Sequence, residues 1–166
     1  IYSEQSYFDI IYNKTASLLE VSCEIGVLTC GDITKLEQMK EVGRNLGIAF
    51  QIKDDILDFC LDKTDDKPTG NDIREKKITL PMIYFLQNLN VNKRNEVLAF
   101  IAADDKTEQG IERLIKEVNH SDSIQKAQKD VEHYSHKAIE LIENENENIY
   151  RTNLLLLVDF LIKRNK

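Results

Sequence analysis

Asp54, Asp55 and Asp58 place three carboxylates within five residues. On a helix, Asp54 and Asp58 stand at i and i+4, with Cβ atoms about 6 Å apart on one face. Asp55 lies one residue round, beside them. Carboxylates this close repel one another, and the repulsion raises the pKa of at least one. Protonation, a Lys or Arg, or a divalent cation relieves it. Magnesium takes oxygen ligands at about 2.0–2.1 Å, keeps several waters and joins one or two protein carboxylates to a substrate phosphate. This stripe offers that number of donors. The alternative is a solvated acidic face with Lys53 as counter-charge. The neighbours Phe50, Ile52, Ile56, Leu57 and Phe59 argue against it, because the stretch is mostly apolar. Carboxylates in such a setting lose solvation and need partners. A cleft between helices would supply them as metal ions.

A magnesium–diphosphate site also needs fixed cations. Lys14-Thr15 falls in the middle of the first helical segment. A polar loop then offers Lys67-Pro68-Thr69-Gly70, followed by Asp72 and by Lys76-Lys77. Gly70 gives the backbone freedom to approach a ligand, and lysines bind phosphate as point charges. Each lysine alone reads as a surface lysine. Their order around an Asp-rich helix makes the joint case.

The rest of the chain must position these groups. Its 166 residues suffice for one domain with a real core, and 42% hydrophobic content is in the globular range. The net charge of −7 argues against a nucleic-acid partner. The longest apolar run, Leu154-Leu155-Leu156-Leu157-Val158, is far short of the roughly 20 residues of a transmembrane helix. Cys23, Cys30 and Cys60 form no zinc-type spacing and read as reduced, buried small hydrophobes of a cytoplasmic protein. A start at Ile1, without Met or a signal pattern, reads as a piece of something longer.

Apolar spacing predicts helices nearly throughout. Phe8, Ile11, Tyr12, Leu18, Leu19 and Ile25 suggest one helix face over residues 4–28. Gly31-Asp32 breaks it, with Asp32 placed to cap the next helix. Leu36, Met39, Gly43, Leu46 and Phe50 step by three and four, predicting a helix over 33–60. Gly43 and Gly47, four apart, mark a close approach by another helix. A loop over 62–72 precedes helices over 79–89, with Pro81 early in the first turn, 93–102, 108–118, 121–145 and 149–163. Ser121 and Asp122 are the caps expected for the fourth of these. No strand-like alternation is present, so the expected fold class is all-α.

In order and spacing these residues resemble the all-trans isoprenyl (polyprenyl) diphosphate synthases. The resemblance rests on Lys14-Thr15, on Gly47 through Asp58 with Gln51-Ile52-Lys53-Asp54-Asp55-Ile56-Leu57-Asp58, and on Asp66 through Pro81 with Lys67-Pro68-Thr69-Gly70 and Thr79-Leu80-Pro81. It runs closely from Lys14 to about Leu86. It implies the carboxyl-terminal part of one polyprenyl synthase domain, a helical bundle of the isoprenoid synthase type whose amino-terminal helices are missing. It implies Asp54 and Asp58 as magnesium ligands, with Asp55 nearby through water. Lys14, Lys67 and Lys77 would contact the allylic diphosphate. Thr15 and Gln51 would stabilise the carbocation-like centre. The implied reaction condenses isopentenyl diphosphate with an allylic diphosphate, in a homodimer, towards a medium- or long-chain product.

The same resemblance implies a first Asp-rich motif and an Arg pair upstream of Lys14, and this sequence contains neither. Lys76 stands where many members have Gly. Two other readings remain: a helical subunit that has kept the motif without turnover, and a related terpene cyclase, against which the Lys67-Pro68-x-Gly70 loop argues.

Overall fold

The computed structural model describes residues 3–60 and 69–163, and these are all-helical, with no strand among the described residues. Helix α1 (Glu4–Ile11) starts at Ser3, whose hydroxyl accepts the Ser6 backbone N–H at 3.1 Å. A π-helical turn (Tyr12–Ala16) carries the chain into α2 (Ser17–Cys30), and the Ser17 N–H bonds the Tyr12 carbonyl five residues back. The apolar spacing predicts one helix here with Leu18 and Ile25 facing inward. They are instead 68% and 55% exposed, while Tyr7, Ile11, Ala16 and Val27 are buried. The π turn is the reason. One extra residue rotates everything after it by about 100° around the helix axis.

Asp32 accepts the Thr34 N–H and opens a 3₁₀ turn (Ile33–Lys35) that leads into α3 (Leu36–Leu57). The short α4 (Asn71–Arg74) follows, then α5 (Leu80–Asn88), with Pro81 in its first turn. Helices α6 (Val91–Ala102), α7 (Glu108–Asn119), α8 (Ser123–Glu143) and α9 (Ile149–Lys163) complete the described chain. Ser121 caps α8 by accepting the Ser123 N–H, whereas the expected cap Asp122 takes the Asn88 side-chain amide instead. None of the three cysteines is fully buried, contrary to expectation: Cys30 is exposed, Cys23 and Cys60 are half-buried, and none is in a disulfide. No helix among the described residues is long and apolar enough to cross a membrane.

Helix α3 is the spine, packed by α2, α8, α5, α9 and α1. Its carboxyl-terminal half is buried nearly all round, which is the condition of a central helix. Ile48, Ala49, Ile52 and Ile56 meet Tyr7, Ile11, Leu80, Ile83 and Val131 in the core beneath the Asp-rich turn. A second core, around Phe59, Phe85 and Ile115, lies towards α6 and α7.

Gly43 and Gly47 allow α2 and the π turn to lie directly on this spine. A Cβ on Gly43 would come within 2.5 Å of the Leu19 carbonyl oxygen, and one on Gly47 within 2.4 Å of the Ala16 Cα. Beside this contact Arg44 grips the buried Glu20 with two hydrogen bonds of 3.0 Å. That pairing, chiefly the hydrogen bonds from Arg44, holds the Glu20 carboxyl below the usual range. The bidentate geometry also fixes the rotation of α2 against α3.

Gly47→Ala forces the backbones apart and should destabilise the chain by roughly 1–3 kcal/mol in denaturant unfolding. Gly26→Ala, where a Cβ meets open space within α2, should instead stabilise it by about 0.5–1 kcal/mol. Equal effects of the two changes would refute the close-approach account.

Candidate functional site

The π turn places Lys14 in solvent and Thr15 half-buried against α3. Single-turn π bulges recur at functional sites because they re-aim side chains without ending the helix. The Thr15 hydroxyl donates to Gln51 Oε1 at 2.7 Å. The Gln51 amide nitrogen donates to Asp55 Oδ1 at 2.9 Å, and the Tyr7 hydroxyl donates to Asp55 Oδ2 at 2.7 Å. Four side chains from α1, the π turn and α3 thus form one hydrogen-bonded chain. Gln51 and Asp55 are buried, at 4% and 6% exposure.

Burial pushes the Asp55 carboxyl up to about 6; the hydrogen bonds from Tyr7 and Gln51 oppose that rise, the charge of Asp72 adds to it, and Lys14 reduces it. Tyr7 is pushed well above its ordinary value by burial and then by the Asp55 charge, so it stays a donor.

Asp58 binds differently. Its Oδ1 and Oδ2 accept the backbone N–H groups of Asn71 and Asp72, each at 2.9 Å, and its carbonyl accepts the Gly70 N–H at 2.9 Å. The carboxylate therefore pins the returning chain to the end of α3. Gly70 is required there twice over: its φ is +81°, and a Cβ would lie 2.7 Å from the Ile111 Cγ2. The pinning brings Asp72 to the acidic end of α3. Burial first, and the charge of Asp58 second, raise the Asp72 pKa, while Lys77 and Lys14 lower it. Lys77 pairs with Glu75 and lies 3.8 Å from Asp72. Its pKa is raised chiefly by the Glu75 hydrogen bond.

The structure thus brings Lys14, Thr15, Gln51, Asp55, Asp58 and Lys77 into one neighbourhood. Asp54 is exposed, one turn before Asp58 on the same face. Lys67 lies outside the described residues. Tyr7 is an additional member that spacing did not single out, and Asp72, noted only as part of the loop pattern, joins the site beside it. Tyr7 is 48 residues from Asp55, and no local pattern pairs them. Asp72 joins only because Asp58 captures the loop.

Among the described residues no three Asp, Glu, His or Cys side chains gather closely enough to hold a metal ion unaided. The donor set fits magnesium shared with a phosphate, which needs only one or two protein carboxylates. Asp54 supplies an exposed one, and each Asp58 oxygen retains a second lone pair beyond its amide bond.

Lys76 has φ of +60°, the one non-glycine residue in the left-handed region among the described residues. This is the position at which the resemblance led us to expect glycine. The turn closes α4, with the Lys77 N–H bonded to the Asp72 carbonyl at 2.8 Å.

The sequence pattern of the polyprenyl synthetase family matches residues 1–118. The chain belongs to that family. This polyprenyl synthetase chain is 30% identical, over 98% of its length, to the octaprenyl diphosphate synthase of Haemophilus influenzae, and covers 50% of it. Its fold superposes on the heptaprenyl diphosphate synthase of Staphylococcus aureus with a TM-score of 0.90 at 30% identity, covering 99% of this chain and 52% of that one. A polyprenyl synthase from Caulobacter crescentus, solved with calcium and isoprenyl diphosphate, matches equally, with a TM-score of 0.90 at 30% identity over 99% of this chain and 51% of that one. The polyprenyl synthetase chain therefore spans about half the length of the relatives it matches.

Lys76→Gly should raise stability by up to about 1 kcal/mol by removing left-handed strain. The Lys76–Asp104 pair it deletes is largely exposed and contributes little. An unfolding titration showing a loss beyond that would contradict the strain assignment.

Asp55 holds its proton more tightly in the fold, near 6, than in the unfolded chain, near 3.9. Its burial therefore works against folding above about pH 6, and the penalty fades as pH falls towards 4. In metal-free buffer, Asp55→Asn should shift the pH dependence of stability in favour of pH 7.5 over pH 4.5. Identical pH profiles for variant and parent would show that Asp55 carries no such penalty.

Proposed function

We propose that this chain carries one wall of a prenyltransferase site, in a protein that condenses isopentenyl diphosphate with an allylic diphosphate to a medium- or long-chain all-trans polyprenyl diphosphate. The observation that carries this reading is the meeting of Lys14-Thr15 on the π turn with Gln51 and Asp55 on α3. It joins cations for a leaving group to neutral dipoles within one cleft wall. Relatives named as octaprenyl and heptaprenyl synthases support prenyl transfer as the chemistry, and short-chain and geranylgeranyl synthases match alongside them.

In this reading Lys14, Lys77 and Lys67 contact the allylic diphosphate. Asp54 and Asp58 would hold magnesium, with Asp55 nearby through water. Among the described residues, Asp55, Asp58 and Asp72 stand close enough to raise one another's charging cost, and Lys14 and Lys77 offset part of it, a grouping to which a divalent cation is suited. When bound, magnesium supplies positive charge that stabilises the departing diphosphate.

The allylic C1–O bond breaks, and its electron pair leaves with the diphosphate. Lys14 and Lys77 meet that developing charge. The Gln51 carbonyl oxygen and the Thr15 hydroxyl oxygen present negative dipole ends to the allylic cation. The double bond of isopentenyl diphosphate attacks C1, and loss of a proton from the adduct restores an alkene one isoprene unit longer.

A homodimer in the cytoplasm is the proposed setting. The apolar stripe Leu18, Val21, Ile25 and Leu28, exposed on α2, supports further protein covering this face.

A full-length parent supplied with magnesium, isopentenyl diphosphate and radiolabelled farnesyl diphosphate should yield a longer prenyl diphosphate on thin-layer analysis. Asp54→Ala should cut turnover by about 100-fold or more, and normal turnover in that variant would sink the metal assignment. The 166-residue chain alone should give little or no product.

A further inference from the structure

The hydrogen-bonded chain has a direction, and the direction has a cause. A carboxylate accepts and does not donate, whereas a carboxamide has one accepting end and one donating end. Because Asp55 Oδ1 accepts from Gln51 at 2.9 Å, the Gln51 amide nitrogen must face Asp55 and its carbonyl oxygen must face the other way, where Thr15 meets it at 2.7 Å. The flipped amide would set oxygen against oxygen in a site that is 4% exposed. Asp55 is therefore the group that sets the polarity of Gln51.

Asp55 keeps that setting only if its own carboxylate does not rotate. The Tyr7 hydroxyl occupies the second oxygen at 2.7 Å. The Tyr7 ring is 5% exposed and stands edge-on to Phe8 at 5.5 Å, and Phe8 in turn lies 5.7 Å from Tyr134. The hydroxyl is thus aimed by packing on α1 rather than by the site itself. Without it, one buried carboxylate oxygen would lack its donor, a costly state that rotation towards another donor relieves.

We infer that Tyr7 is a positioning residue: through Asp55 it locks the Gln51 side-chain amide with its carbonyl oxygen directed at Thr15 and away from the acidic cluster. This rests on the reading above, in which that oxygen faces the allylic cation. It assigns Asp55 a second duty beside any contact with metal-bound water.

The test is Tyr7→Phe in the full-length protein, with Tyr84→Phe as the matched control. Tyr84 donates to Asp130 at 2.7 Å within the same core, so removing its hydroxyl deletes no bond of the Tyr7–Asp55–Gln51–Thr15 chain. With ¹⁵N-glutamine labelling in metal-free buffer, the Gln51 side-chain NH₂ pair is assigned by its disappearance in Gln51→Glu. It should move in Tyr7→Phe and stay in place in Tyr84→Phe.

In steady-state assays Tyr7→Phe should lower kcat by roughly 10- to 100-fold with little change in the KM for the allylic substrate. An unmoved Gln51 pair, or a raised KM at unchanged kcat, would overturn the inference. Should Tyr7→Phe not fold, Asp55→Asn carries the same amide measurement, since it can turn a donor towards Gln51; an unmoved pair there overturns the inference equally. The amide readout involves neither metal nor substrate. Its failure would leave prenyl transfer standing, and absence of prenyl transfer in the parent would leave the amide readout standing.

Discussion

The contact on which the rest depends is the one between Gly47 on α3 and Ala16 at the end of the π turn. It is a backbone-to-backbone approach with no room for a side chain. It sets how far Thr15 stands from Gln51, and so whether a 2.7 Å hydrogen bond can form. One turn earlier Gly43 meets the Leu19 carbonyl oxygen, and Arg44 grips Glu20 beside it. Distance is fixed by the glycines and rotation by the ion pair. Each alone would leave a degree of freedom that the site cannot tolerate.

Once α3 is held this way, the neighbouring aspartates take different environments. Asp55 points into the core and becomes an acceptor for two buried donors. Asp58 turns to the returning chain and caps its amides. Asp54 stays in solvent. A stripe that looks uniform as text is a set of unlike groups, because the helix presents each residue to a different neighbour. The lysines are placed by local backbone devices. Lys14 rides on the π turn, and Lys77 follows the left-handed turn at Lys76.

This division explains what could be read from residues alone. Helix α9 was legible at its bounds and α6 to α8 nearly so, since regular helices repeat their apolar residues locally. Gly43 and Gly47 advertised the close approach, because glycine in a helix is costly unless space demands it. The Asp54 to Asp58 stripe was visible because its spacing is that of one helical turn. The π turn was not legible. Its effect is to break periodicity, and Leu18 and Ile25 were consequently assigned to the wrong face. Tyr7 was missed because its partner is 48 residues away. Lys76 was flagged only by resemblance, and the backbone supplies the reason.

The misassigned face carries a physical demand of its own. After the π turn, α2 buries Glu20 and Val27 while Leu18, Val21, Ile25 and Leu28 look outward. The outward set steps by three, four and three, which is the signature of a buried helix face rather than a solvated one. Isolated exposed apolar residues are ordinary; an ordered stripe of them marks a surface built for contact. A helix apolar on both faces sits between two layers, and the described residues supply only one. The register shift that aims Lys14 and Thr15 at α3 therefore also turns a second apolar face outward. Straightening the π turn would bury that face and lose the site.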